Sequence, residues 1–188
     1  MSGPPCWPWT SRTESSPSPP DSDALVERVG SAVADVRAAG GTIGHVRVAF
    51  TEDDWAAVPG TNKSFGAVAA AKMLHDENPA SRIDERLTPR DGDIVVRKIR
   101  YGSLSTTDLH EQLRVRGIDT LVLAGISTSG VVLSTLVDTA DRDYRVYVLS
   151  DGTADPDPET HRVLLGKVFP SRAHVISTTE LRELLRTT

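Results

Sequence analysis

Residues 120–130, TLVLAGISTSG, place the strongest constraint on the fold. Residues 120–124 form a continuous apolar run that stops at Gly125, the pattern of a strand buried on both faces. A strand of that kind needs helices above and below it, which implies a layered α/β architecture. The small residues that follow, GISTSG, form a tight turn leading into a helix that begins at Val131.

The rest of the chain repeats the alternation. Leu25, Val29, Val33 and Val36 recur at helical spacing, which predicts a helix over 21–40 that Gly40 and Gly41 stop. Further helices are expected over 65–75, 106–116, 131–141, 158–169 and 179–186, with Pro158 suited to a first helical turn. Strands are expected over 43–50 (IGHVRVAF), 93–98 (DIVVRK), 145–150 (RVYVLS) and 174–177. Residues 51–63 read as a polar loop turning at Pro59-Gly60. Strands separated by helices imply right-handed crossovers and a mostly parallel sheet. In such sheets ligands bind beyond the carboxyl ends of the strands. That end is marked here by the turns after Phe50, Lys98, Gly125 and Asp151.

Length and composition narrow the function classes. A chain of 188 residues, 38% hydrophobic, makes one domain with a core that needs no staple. A net charge of −5 disfavours nucleic acid and anionic membranes as partners. No apolar run approaches the roughly 20 residues of a membrane span. Cys6 is the single cysteine, so neither an intramolecular disulfide nor a multi-cysteine metal site is expected, and a cytoplasmic location is the default. The five histidines show no paired metal spacing, and no metal site is expected. There is no GxGxxG motif, no phosphate loop and no GxSxG elbow, so no cofactor is expected.

Five places in the chain are candidates for chemistry. Lys98 ends a buried-type strand, either as a snorkelling lysine or as a cation able to stabilise developing negative charge. The GISTSG turn offers backbone N–H groups at a helix start, an arrangement that can hold an oxyanion or serve only for tight packing. Asp151 reads as a loop brace. His161, on the first turns of a helix, reads as structural or solvent-facing, as does His45 in mid-strand.

Three blocks together, DIVVRK, TLVLAGISTSGVVLST and DGTADPDPETHR, resemble the isochorismatase-like, or cysteine hydrolase, family over residues 21–188. The resemblance implies a three-layer Rossmann-like α/β fold with strand order 3-2-1-4-5-6. It also implies a catalytic Asp-Lys-Cys set and frequent homo-oligomers. The family's lysine falls on Lys98. Its cysteine follows the turn glycine by six residues and falls on Val131, which cannot be a nucleophile. The family's true isochorismatases also lack the cysteine and use the aspartate for proton transfer, but they carry glycine there, and valine narrows the pocket. The substrate and oxyanion pocket then comprises Ile126, Ser127, Thr128, Gly130 and Val131. The family's cis peptide maps to Ile126-Ser127.

The family's aspartate ends a first strand, and residues 1–20 contain no such strand. This irregular segment holds half of the twelve prolines, and Pro5 and Pro8 cannot serve a central ladder. Read one base earlier, however, the codons of Cys6 to Thr10 force leucine, alanine and aspartate at the spacing the missing strand needs. Residues 1–20 are therefore read as a frameshifted first strand, degraded or missing here, followed by the α/β domain over 21–188.

The resemblance implies a hydrolase-family protein acting on a small polar molecule, with an incomplete catalytic set and weak or absent activity. The alternative is a pseudoenzyme of the same fold that binds a small molecule without turning it over.

Overall fold

The computed structural model describes residues 22–187 and the backbone of Cys6 and Trp7. In chain order the elements are β1 (Cys6–Trp7), α1 (Ser22–Ala38), β2 (Gly44–Val48), α2 (Glu52–Ala56), α3 (Lys63–Ala70), β3 (Ile94–Lys98) and α4 (Leu109–Val115). They continue with β4 (Thr120–Ile126), α5 (Leu133–Ala140), β5 (Arg145–Ala154), α6 (Pro158–Val163), β6 (His174–Ile176) and α7 (Thr178–Arg186).

Every registered strand pair is parallel. β1, β4, β5 and β6 form one hydrogen-bonded ladder, and β2 pairs with β3 from Gly44 opposite Ile94 to Val48 opposite Lys98. β1 also lies against β2, so the strands run 3-2-1-4-5-6 across the molecule. The doubly buried strand expected at 120–124 forms as β4. Its alternate residues feed two cores. Leu121 and Leu123 pack with Leu109 and Leu113 of α4 and Leu136 of α5. Val122 and Ala124 pack with Leu25, Val29, Val33 and Val36 of α1 and Leu181 of α7. Helices therefore cover both faces, as a parallel sheet requires.

Of residues 1–20, read above as a degraded or missing first strand, the structure describes the backbone at two positions. Cys6 and Trp7 form a short strand beside β4, opposite Val122 and Leu123. The rest of the frameshift reading lies outside the described residues.

Other boundaries moved for identifiable reasons. The 51–63 loop contains α2, because Thr51 and Asp54 make a reciprocal capping box. α3 ends at Ala70, ahead of Lys72 and Leu74 in the left-handed region at φ 49° and 59°. β5 extends to Ala154, beyond the expected end at 150, past an irregularity opposite Leu123 and Gly125. The helix expected over 158–169 is α6, a π-helical turn over Leu164–Val168 and a 3-10 turn over Phe169–Ser171 that contains Pro170.

At the amino ends of the strands, His45 is fully buried, and its Nε2 lies 3.1 Å from Oδ2 of Asp93. Arg37, in the last turn of α1, pairs with the same carboxylate. This cluster ties α1, β2 and β3 together at the end of the sheet remote from the strand tips. Among the described residues, no helix is long and apolar enough to cross a membrane.

Candidate functional site

Lys98 does not snorkel. Ile94, Val96 and Lys98 are buried on one side of β3, while Val95 and Arg97 are exposed on the other. The period of two thus directs a lysine into the apolar core at the carboxyl end of the strand. Burial lowers its pKa from 10.5 to about 7, because the desolvated ammonium is disfavoured. The ammonium donates to the carbonyl of Tyr101. That bond keeps a cation in the interior with an oriented acceptor.

The GISTSG turn begins where β4 ends. Gly125 has φ 120°, a conformation that side chains other than glycine's resist, and the Ile126-Ser127 peptide is cis, as the resemblance implied. Ser127 then caps a π-helical turn over Thr128–Val132, and its Oγ accepts the Gly130 N–H at 3.1 Å. Ser129 N–H donates to Oδ2 of Asp155 at 2.7 Å. Two of the amides expected to cradle an oxyanion are therefore engaged within the protein. Val131 is buried in the same apolar cluster as Val48, the register partner of Lys98. The position that the resemblance assigns to a cysteine thus holds a branched hydrocarbon packed into the core.

Tyr101 joins the two halves of the site. A Cβ on Gly130 would lie 3.2 Å from Cε1 and 3.3 Å from Cδ1 of the Tyr101 ring, and 2.7 Å from Ser127 Oγ. The residue whose carbonyl receives Lys98 therefore presses its ring on the turn. Lys98, Ser127, Gly130 and Val131 are brought to one rim of the sheet.

Sequence reasoning missed several residues here. Phe65 of α3 meets Tyr101 with ring centroids 4.8 Å apart, and Phe50 lies 6.0 Å from Phe65. The guanidinium of Arg100 sits over the Phe65 ring at 5.3 Å. The chain has only nine aromatic residues, so their scarcity was the available signal. His161, which reads from sequence as structural or solvent-facing, is half-buried. Its Nδ1 lies 2.8 Å from the hydroxyl of Thr128, which is fully buried. Asp151 braces as expected, accepting the N–H of Thr178 at 2.8 Å and its hydroxyl at 2.7 Å.

Comparison with known proteins gives this geometry a setting. The isochorismatase domain model matches residues 11–180. An uncharacterized isochorismatase family protein, YecD of Escherichia coli O157:H7, is 32% identical over 170 residues, covering 89% of this chain and 86% of that one. The ureidoacrylate amidohydrolase RutB of Methylorubrum extorquens is 35% identical over 150 residues, which is 71% of this chain but 58% of that longer protein. Among solved structures, a cysteine hydrolase from Pseudomonas syringae pv. phaseolicola 1448A superposes with a TM-score of 0.83. It is 22% identical, with 97% of this chain and 92% of that one covered. An isochorismatase family protein from Burkholderia thailandensis gives 0.82 at 22% identity, covering 99% and 97%. At that identity the two structures speak to the fold alone.

Proposed function

The chain belongs to the isochorismatase family, and from that premise we propose that it binds a small polar molecule between Lys98 and the Ile126 to Val131 turn, without thiol chemistry. The observation that carries this reading is the continuity from the Lys98 ammonium through Tyr101 to Gly130. A desolvated cation beside an apolar, aromatic wall attracts a compact ligand bearing negative or developing negative charge. With a pKa near 7, Lys98 can also give or take a proton at neutral pH. Val131 offers no thiolate for a covalent intermediate.

Two features favour the second reading, a pseudoenzyme that binds without turnover. Val131 stands where the family's nucleophile belongs, and the Ser129 and Gly130 amides already have acceptors. Residues 1–20 belong to the same proposal as a frameshifted first strand, ahead of an α/β domain over 21–188. Sequencing the coding DNA tests that part, and a shifted frame without an apolar run ending in aspartate overturns it. We further propose a cytoplasmic homo-oligomer, which light scattering on the purified chain tests.

The functional test uses isochorismate, ureidoacrylate and maleamate as probes, the last two taken from the activities named for amidohydrolase relatives. Turnover that disappears in Lys98→Ala supports the hydrolase. Calorimetric binding without turnover supports the pseudoenzyme. Neither binding nor turnover with any probe overturns both.

A further inference from the structure

We infer that His161 and Asp155 are positioning residues for the cleft turn, holding it from the segment between β5 and α6 and from α6 itself, so that its amide orientation follows the state of His161. The inference rests on the proposed site only for its functional meaning, since the clamp is a feature of the fold.

Successive residues of the turn are attached to the same neighbouring segment. Gly125 and Ile126 pair with Thr153 and Ala154 on the extension of β5. The Thr128 hydroxyl meets His161 Nδ1 at 2.8 Å, and Ser129 N–H donates to Asp155 at 2.7 Å. The segment making these contacts is stiff. Pro156 and Pro158 fix two φ angles, and Asp157 caps α6 by accepting the Glu159 N–H at 3.1 Å and the Thr160 hydroxyl at 2.5 Å. His161 is thereby delivered to Thr128 from a helix start with little freedom.

The Thr128 hydroxyl is fully buried, so it needs a partner. Neutral His161 can accept from it or donate to it through Nδ1. Protonated His161 can only donate, which obliges Thr128 Oγ1 to accept and to turn its own hydrogen elsewhere. The neighbouring residues, Ser127 and Ser129, carry the restraints on the Gly130 and Ser129 amides. A change at His161 is therefore felt one residue away on each side. Along the segment that carries the ring, the charged side chains are Asp155, Asp157, Glu159 and Arg162, with Lys167 exposed on the π-helical turn that follows α6. Asp157 is bonded to Thr160, and Glu159 pairs with Arg162. Asp155 is the one that acts on His161, favouring its protonated form, while burial acts the other way and prevails.

The test is a ¹H–¹⁵N titration of the full chain from acid to neutral pH, without ligand. The Ser129 and Gly130 amides are expected to shift with the midpoint of the His161 ring protons, below the ordinary imidazole value of 6.5. His161→Leu abolishes that step. His161→Asn, which returns a polar atom to the place of Nδ1, keeps the amides near their neutral-pH positions without the titration. Thr128→Val keeps the histidine, removes the hydroxyl and uncouples the amides, so the inference stays testable even where His161→Leu fails to fold. Asp155→Asn separates the carboxylate's own contribution. Amides that titrate unchanged in His161→Leu, or in Thr128→Val, overturn the inference. Because no ligand is used, failure of the proposed function leaves this result standing, and the reverse also holds.

Discussion

The ammonium of Lys98 donates to the carbonyl of Tyr101, whose ring lies against Gly130 on the turn after β4. One aromatic residue thus couples a buried cation on β3 to a glycine-started turn on β4. The coupling depends on Lys98 staying inside, on Gly130 staying bare and on the turn keeping its shape. Each dependence can be tested.

Lys98→Met exchanges a buried ammonium for an apolar side chain of similar length. In the parent, the folded-state pKa of about 7 lies below the ordinary 10.5 of the unfolded chain. Between those values the unfolded state binds more protons, so stability rises with pH across that window. Denaturant midpoints measured from pH 7 to 10 should climb in the parent and stay flat in Lys98→Met. The variant should also be more stable at pH 7, by on the order of 1–2 kcal/mol, and should lose probe binding. A parent whose stability does not rise refutes the depressed pKa.

Gly130→Ala sets a methyl 2.7 Å from Ser127 Oγ and 3.2 Å from the Tyr101 ring. Overpacking of this kind costs about 1–3 kcal/mol. Adding Ser127→Ala removes the closest atom, so the double variant should lose less than the two single losses combined. Additive losses in urea unfolding would show that the two residues do not meet.

Val131→Cys places a thiol on the turn with little change of shape. The lost packing should cost roughly 1 kcal/mol. Thiol counting in denaturant should rise from one to two, since Cys6 is the only native cysteine. Under native conditions the new thiol should react far more slowly than in the unfolded chain, because Val131 is buried. Equal rates in the two states would contradict that burial.

His45 is held neutral, first by burial and against the pull of Asp93. Its folded pKa lies below 6.5, so the unfolded chain takes up protons first on acidification. Stability should therefore fall as pH drops below about 6.5, and His45→Gln should flatten that part of the curve. Asp93→Ala, which strips Arg37 and His45 of their shared carboxylate, should cost about 3 kcal/mol at pH 7. An unchanged acid limb in His45→Gln would remove His45 as its source.

What could be read in the sequence was local and periodic. The run at 120–124 required two covered faces, and Leu121 and Val122 do enter opposite cores. The strand read at 93–98 carried Lys98 to its tip, and the tight turn fell where GISTSG predicted it, while the exposure of Val95 and Arg97 on the other face of that strand came only from the structure. Those features depend on side-chain period and backbone freedom, which neighbouring residues settle among themselves. Contacts between distant segments left no such trace. Thr128 and His161 are 33 positions apart, and Cys6 finds Val122 across most of the chain. Tyr101 and Phe65 look like ordinary aromatics until α3 is laid over the end of β3. Such pairings are set by how helices and strands dock as bodies, and docking geometry is a sum over many weak contacts that no single stretch of sequence encodes.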